Sequence, residues 1–394
     1  MTQPIQLAGW AVLASCLFLM PALPELANIV AIAGMVIGIP LLAIDLRSGK
    51  RLTAAEWIVV AASLILLAVL LPTIGSADDA VVLLALAPLP LSIPLAALLA
   101  RLEDRLTLRT IATLALLGTA VAAGITGYDV FVRGIRRGGY LTMNPIHMAD
   151  IAILLALLSF AGILEGEWRK RLIFLAGPVF ALLAVLWSGS RGPLLAYIGL
   201  AGFSVLFATA IALPSRYRRP AVLSVFFLFV AVGIHGLSTG WLGQIRGVDQ
   251  FLNLAGGNIA DVDGSTRIRL QLYEGAWLAF LDSPIFGHGA DFVAAADARV
   301  AGNISGWEHL HSDLADFAAL GGTLGLIAYL AVLAAPLVAV LRRRPPHNAL
   351  VYLGMTAGLG VLAMGLTNAI FGILTLTVLF SLMLALMFRM RATA

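Results

Sequence analysis

Apolar residues run through this chain in long, nearly unbroken blocks, with polar residues gathered in the gaps. A bilayer-crossing helix needs about 20 apolar residues. Twelve blocks approach that length, at approximately 5–23, 26–44, 57–73, 80–100, 111–127, 149–165, 172–187, 193–213, 221–239, 315–341, 349–367 and 370–388. Both faces of each block are apolar, so periodicity is uninformative and length predicts membrane helices. Pro88, Pro90 and Pro94 interrupt the fourth. Two gaps are long, Tyr128–Asp150 and Gly240–Asp313, and long connections in a compact protein are functional or disordered. In the second, Asn253–Ser265 reads as flexible. Thr266–Leu281 reads as a helix with Arg269, Tyr273 and Trp277 at i, i+4, i+8 on one face, ended by Asp282-Ser283-Pro284. The sequence shows no repeat, low-complexity tract or soluble domain. It predicts one all-α polytopic membrane domain over 1–394, with a loop of short amphipathic helices over 240–313.

Composition sharpens this. The chain is 61% hydrophobic and 12% charged, against roughly 45–50% and ~25% in a soluble domain. A soluble globule could not bury so much apolar surface, and disorder requires the opposite composition. The net charge of +4 comes with no basic helix or nucleic-acid motif, so nucleic acid is not an expected partner. Cys16 is the single cysteine, which excludes a disulfide or cysteine-based metal site within the chain. No Lys or Arg precedes the first apolar block, so that block is expected to stay as a membrane helix and not to be cleaved as a signal peptide.

The basic residues sort into two sets. Seventeen of the 25 Lys and Arg lie in six segments on alternate sides of consecutive helices, such as Arg47/Lys50/Arg51 and Arg342–Arg344. The positive-inside rule makes that face cytoplasmic, with both termini on it. The other eight are Arg133, Arg136, Arg137, Arg191, Arg246, Arg267, Arg269 and Arg299. All eight face outward against the topological bias, and none is Lys. A guanidinium is a permanent charge with a planar fork of donors suited to phosphate or carboxylate. This set therefore points to an anionic ligand on the outer face.

Three strings carry candidate chemistry. SGSRGPLLAY places Arg191 where the eighth helix begins, with Ser190 as a plausible N-cap and Pro193 in the first turn; free N–H groups there favour anions. The alternative for Arg191 is an anchor for lipid headgroups. STRIRLQLYEG supplies Arg267 and Arg269 on different sides of one helix, so one of them faces a central site, and Arg269 shares a face with Tyr273; the alternative is a solvated loop helix. WEHLHSDLADFAALGGTLG leads into the tenth helix. An imidazole there suits a general base near neutral pH. His309 and Asp313 are four apart and could pair, whereas Asp313 and Asp316 could equally complement the helix dipole. His-x-His lacks a third ligand for zinc. The Asp261-Val262-Asp263 pattern suits a metal–nucleotide site, but its loop is external, where nucleotide sugars are absent. His147, His235 and His347 read as structural.

Together these features resemble the O-antigen ligase family of bacterial envelope glycosyltransferases. The residues that carry the resemblance are SGSRG at 188–192, IRLQLYE at 268–274, the turn Pro284–Gly287–Gly289, and His311-Ser312 followed by Gly322 and Gly325. They accompany the twelve-helix layout with its large loop between helices 9 and 10. The resemblance implies a C-type-like glycosyltransferase fold in the bacterial inner membrane, with the active site at the periplasmic face. It implies transfer of polysaccharide from an undecaprenyl-diphosphate donor to a lipid A–core acceptor, inverting and without metal or other cofactor. His311 is then the expected catalytic base, and Arg191 and Arg269 the diphosphate ligands. Arg136 and Arg137 are candidates for acceptor phosphates and Asp313 for orienting a histidine, with Arg267, His309 and Tyr273 as further candidates. O-antigen polymerases, which transfer the same donor to a second lipid-linked repeat, share the architecture. A transporter or flippase predicts ionisable residues at mid-helix and inverted repeats, which the sequence does not show.

Overall fold

The computed structural model describes residues 2–77, 79–165, 171–212, 215–239, 256, 263–300, 306–342 and 347–389. Among them there is helix and no strand. In chain order the helices are α1 (Thr2–Ala14, continued by a π turn at Ser15–Leu19), α2 (Pro24–Arg47), α3 (Ala54–Leu70), α4 (Ala80–Leu86), α5 (Pro88–Leu99), α6 (Leu108–Phe131), α7 (Pro145–Ala161), α8 (Ala176–Ser188), α9 (Arg191–Ala212), α10 (Ser215–Ser238), α11 (Gly264–Asp282), α12 (Phe292–Asp297), α13 (Asp313–Leu341), α14 (Asn348–Gly365) and α15 (Leu374–Arg389). Each of the twelve apolar blocks lies largely on helix. Eight helical segments are long and apolar enough to cross a membrane. Gln3–Leu19, Leu172–Ser188 and Leu374–Arg389 are shorter apolar helices. The chain is a multi-pass membrane protein. Residues 240–255 and 257–262, with Arg246 and most of the stretch expected to be flexible, lie outside the described residues.

Local chemistry sets the boundaries. Thr53 and Glu56 form a reciprocal capping box at α3. Thr107 accepts from the Thr110 N–H at α6, and Asn144 caps α7 with Pro145 at its first position. The proline-rich fourth block divides into α4 and α5 at Ala87–Pro88, because each proline removes an N–H donor. Helices α7 and α15 are buried along nearly their whole length. This explains why their sequences lack a polar face: protein surrounds them on all sides. On α2, by contrast, Ile29, Val36, Ile37 and Ile39 are exposed, as a lipid-facing surface would be.

Helix α13 is broken. Gly322 has φ +57° and ψ −143°, a conformation open in practice only to glycine. The interruption is re-satisfied by the turn after α11. The Pro284 carbonyl accepts from the Thr323 N–H and hydroxyl, each at 2.8 Å. The Ile285 carbonyl accepts from Leu324 at 3.3 Å, and the His288 N–H donates to Ala319 O at 2.9 Å. Non-helical backbone at membrane depth persists where other protein groups take its hydrogen bonds. The spaced glycines Gly287 and Gly322 thus latch the loop onto α13. A Cβ on Gly322 would lie 2.7 Å from the Ile285 carbonyl carbon. Gly322→Ala is expected to cost about 1–3 kcal/mol from the backbone conformation alone. It should therefore lower the thermal midpoint of the purified protein and expose the 284–289 turn to protease; an unchanged digestion pattern would contradict the latch.

Candidate active site

The ends of several helices converge at one end of the bundle: the C-termini of α6, α8 and α14, and the N-termini of α7, α9, α11, α13 and α15. Short turns bring them together. Asp129 near the end of α6 is buried, binds Arg133 at 2.6 Å, and accepts from the Gly139 and Leu141 N–H groups at 2.8 and 3.1 Å. One carboxylate thereby folds the loop that carries Arg137. The Arg137 Nε donates to Ser188 O at 3.2 Å, and its Nη2 donates to Ser190 Oγ at 3.1 Å. Ser190 accepts the first bond of α9 through its carbonyl, while its hydroxyl is held by Arg137. Gly189 ends α8 in the left-handed conformation, φ +61°. Gly192 lets α9 approach the α14–α15 turn, since a Cβ there would lie 2.1 Å from Thr367 Oγ1.

Arg191 at the first position of α9 pairs with Asp263, which also caps α11 by accepting from the Thr266 N–H at 2.8 Å. Partial burial works against ionisation of Asp263, but the Thr266 N–H and the Arg191 guanidinium prevail and hold its carboxyl below the usual range. The described part of the Asp-x-Asp pattern is thus a helix cap and a counterion. Arg137, Arg191 and Arg269 line one cavity of about 160 Å³ with Asp263, Ser265 and Thr266. Arg267, two residues from Arg269, is exposed and outside this cavity, as the helical geometry predicts. Arg136 is exposed and outside it too. Arg299 is bound elsewhere, to Asp282 and to Ala295 O.

His311 stands beside this cavity. Its φ of +57° makes it the one non-glycine residue with positive φ among the described residues. Such strain persists where the surroundings over-determine it, and here they do. The Tyr273 hydroxyl donates to His311 O at 3.2 Å, the Leu310 N–H donates to Asp316 Oδ1 at 2.6 Å, and Ser312 Oγ donates to Gly365 O at 3.0 Å. The His311 ring meets His309 edge-on at 4.5 Å and Trp307 at 4.8 Å between centroids. Its Nδ1 is buried with no hydrogen-bond partner. Burial, then the neighbouring His309, Arg269 and His147, push its pKa down to about 3. Burial likewise lowers His309, against the opposing pull of Glu308, and burial raises the Tyr273 hydroxyl and keeps it a donor.

The His311 shift carries a stability signature. Above about pH 6.5 the imidazole is neutral in both folded and unfolded chains and contributes no slope. Between there and pH 3 the unfolded chain takes up a proton that the folded one resists, so stability falls with pH. The thermal midpoint is expected to drop on acidification from pH 7 to 4, less steeply in His311→Gln. Equal slopes would argue against a buried neutral imidazole.

Two expectations are revised. Asp313 does not pair with His309 or orient a histidine: it is fully buried and accepts from the Ile370 and Phe371 N–H groups at 2.8 and 3.1 Å. It ties α13 to the start of α15, because unsatisfied backbone donors there are nearer than any imidazole. Arg269, Tyr273 and Trp277 share one stripe of the uninterrupted helix α11, with Trp277 at its exposed end, stacked on Phe280. His147 is not remote from the chemistry, since it lies within electrostatic reach of both His309 and His311. One turn further along α7, fully buried Asp150 accepts from Asn368 Nδ2 at 2.8 Å and feels Arg269. An ionisable residue in a membrane helix is a functional signal, and Asp150 at the edge of the 149–165 block, with His147 three positions before it, was the sequence signal available.

Two comparisons bear on identity. Over 247 residues the chain is 23% identical to an uncharacterized protein of Haemophilus influenzae, covering 58% of this chain and 59% of that one. The chain therefore spans less than two thirds of that relative. Residues 176–330 match the family model described as O-antigen ligase. That matched stretch, less than half of the chain, holds Arg191 at the start of α9, Arg269 on α11 and His311 before α13, and over it the chain is similar to the O-antigen ligase family.

Proposed function

We propose that this protein is an O-antigen ligase: it transfers polysaccharide from an undecaprenyl-diphosphate donor to the core sugar of a lipid A–core acceptor. The observation that carries the reading is the single cavity walled by Arg137, Arg191 and Arg269 with His311 beside it. The diphosphate occupies the cavity, competing with Asp263 for Arg191. Three guanidiniums in a partly desolvated site supply the positive charge the leaving group needs as the C1–O bond breaks. His311 takes the proton of the acceptor hydroxyl, whose oxygen forms the new bond to C1 from the face opposite the diphosphate. The bond electrons leave with the diphosphate, and the anomeric centre inverts. In this reading the positive charge comes from arginine, with no metal or other cofactor assigned a role.

The same proposal sets the protein in the bacterial inner membrane with twelve crossings, both termini cytoplasmic, and the site at the periplasmic face. It treats 1–394 as one membrane domain, with 240–313 as its active-site loop. Lipopolysaccharide from a deletion strain, resolved by gel and complemented with wild type or His311→Ala, tests it. Bare core with polymer accumulating on undecaprenyl diphosphate is expected. Core capped with a single repeat identifies a polymerase, and an unchanged profile sinks both activities for this polymer.

A further inference from the structure

The histidine pair is close to two cavities of opposite electrical character: His309 lines one, and Arg269 of the other acts electrostatically on both rings. The latter is the arginine cavity already described. The former is a larger one of about 570 Å³, within the roughly 300–1,000 Å³ of small-molecule sites. His309 and Trp307 form part of its wall, and both rings meet His311. The opposite walls come from α4, α12 and the buried face of α13, with Val82, Phe292 and Phe317 as apolar surface. Among the described residues its ionisable wall apart from His309 is Asp79, Asp291, Asp297, Glu308 and Asp316, with no Lys or Arg. Asp79 and Asp316 are fixed in place, Asp79 by the Gly75 and Ser76 N–H groups at 2.9 and 2.7 Å and Asp316 by Leu310. Asp291 and Glu308 are exposed.

We propose that this second cavity receives the terminal saccharide of the acceptor and selects sugar ends that carry no phosphate or carboxylate. The inference rests on reading His311 as the base that accepts the acceptor's proton, since the acceptor hydroxyl must then approach on the side of the histidine pair away from the arginines. Sugar hydroxyls are donors, and carboxylates are strong acceptors for them. The Trp307 ring offers an apolar platform for the C–H face of a pyranose. An anionic sugar would be desolvated among like charges, which is how a site rejects a wrong partner. The same repulsion keeps the donor's diphosphate out of this cavity, so the two substrates are sorted by charge before either meets His311.

Two measurements on the full-length protein in native-lipid nanodiscs test this. In the first, a photo-crosslinking residue replaces Ala294 in the acidic cavity or Ser265 in the arginine cavity. The probes are labelled lipid A–core with a neutral terminal hexose and labelled undecaprenyl-diphosphate polysaccharide. Capture of lipid A–core at 294 and of the diphosphate lipid at 265 is expected. Capture of the diphosphate lipid at 294 overturns the inference, as does absence of lipid A–core there while 265 still captures donor. Failure of donor capture at 265 instead overturns the reading of the site as a ligase. In the second, Asp291→Lys and Glu308→Lys should each raise the acceptor KM by roughly tenfold, the scale of a lost hydrogen bond to a charged group, with the donor KM unchanged. They should also narrow the preference for the neutral acceptor over its terminal 6-phosphate. An unchanged acceptor preference, or a rise in donor KM alone, overturns the assignment.

Discussion

Replacing His311 with Ala is expected to lower transfer by roughly 10²–10⁴, the usual range for a general base, while donor binding in the arginine cavity persists. The separation follows from the geometry. In the proposed reaction the diphosphate is held by Arg137, Arg191 and Arg269, which line one cavity, whereas His311 meets the acceptor. Folding should survive, because the loop is held by Asp316, Ser312 and Tyr273 through backbone atoms of Leu310, Gly365 and His311. Removing a side chain at positive φ does not worsen the strain, and Gly in place of Ala relieves it. His311→Gly with equally low transfer would separate lost base from altered backbone. A purified-enzyme assay with labelled donor and lipid A–core gives the rate, and near-full transfer by His311→Ala would reassign the base. The depressed pKa gives a second reading. With the cavity empty, Arg269, together with burial and the other histidines, keeps the imidazole neutral but a weak base. A bound diphosphate compensates Arg269 and adds negative charge nearby, which raises the imidazole's basicity at the moment it is needed. The acid limb of kcat should therefore lie at higher pH than that of kcat/KM.

Arg269→Ala is expected to lose about 10²–10³ in kcat, the scale of removing one preorganised donor from a developing charge, and more than Arg191→Ala. Arg191 already has Asp263 as counterion, so part of its field is compensated before substrate arrives. Arg269 lines the arginine cavity and also acts electrostatically on His311, His309 and Asp150. Its loss weakens leaving-group stabilisation and uncouples the base from donor binding, so the two pH limbs should draw together. Lys should not restore the rate, since an ammonium lacks the planar fork. Full activity in Arg269→Lys, or equal losses at 191 and 269, would refute the ranking.

Much of the site was legible because its chemistry contradicts its surroundings. Arg191 and Arg269 are charges near helix ends between apolar blocks, outside the six basic segments that set the expected topology, and His311 is an imidazole at the mouth of an apolar block. Each could be singled out by type and position. What failed were inferences about partners. Asp313 sits four residues from His309, a spacing that pairs side chains on a continuous helix. The helix starts only at Asp313, so His309 lies on a bent loop and the rule does not apply. The contacts of Arg137 with Ser188 and Ser190, some fifty positions away, are ones that nothing in its own string shows.

Composition and the length of apolar blocks determined by themselves that this chain is a helical membrane protein, since of the two structures that satisfy backbone hydrogen bonds in lipid, helices and closed barrels, only a helix takes about 20 consecutive apolar residues per crossing. They also determined which ends carry arginine and histidine. Tertiary structure alone decided that α13 breaks at Gly322, that His147 and Asp150 of α7 stand beneath His311 and Arg269, and that Asp263 neutralises Arg191. It alone gathered Asp79, Asp291, Asp297, Glu308 and Asp316 around a second cavity. Each of these depends on contacts between distant segments, and uniformly apolar helices leave their rotation and depth to packing, which local sequence does not encode.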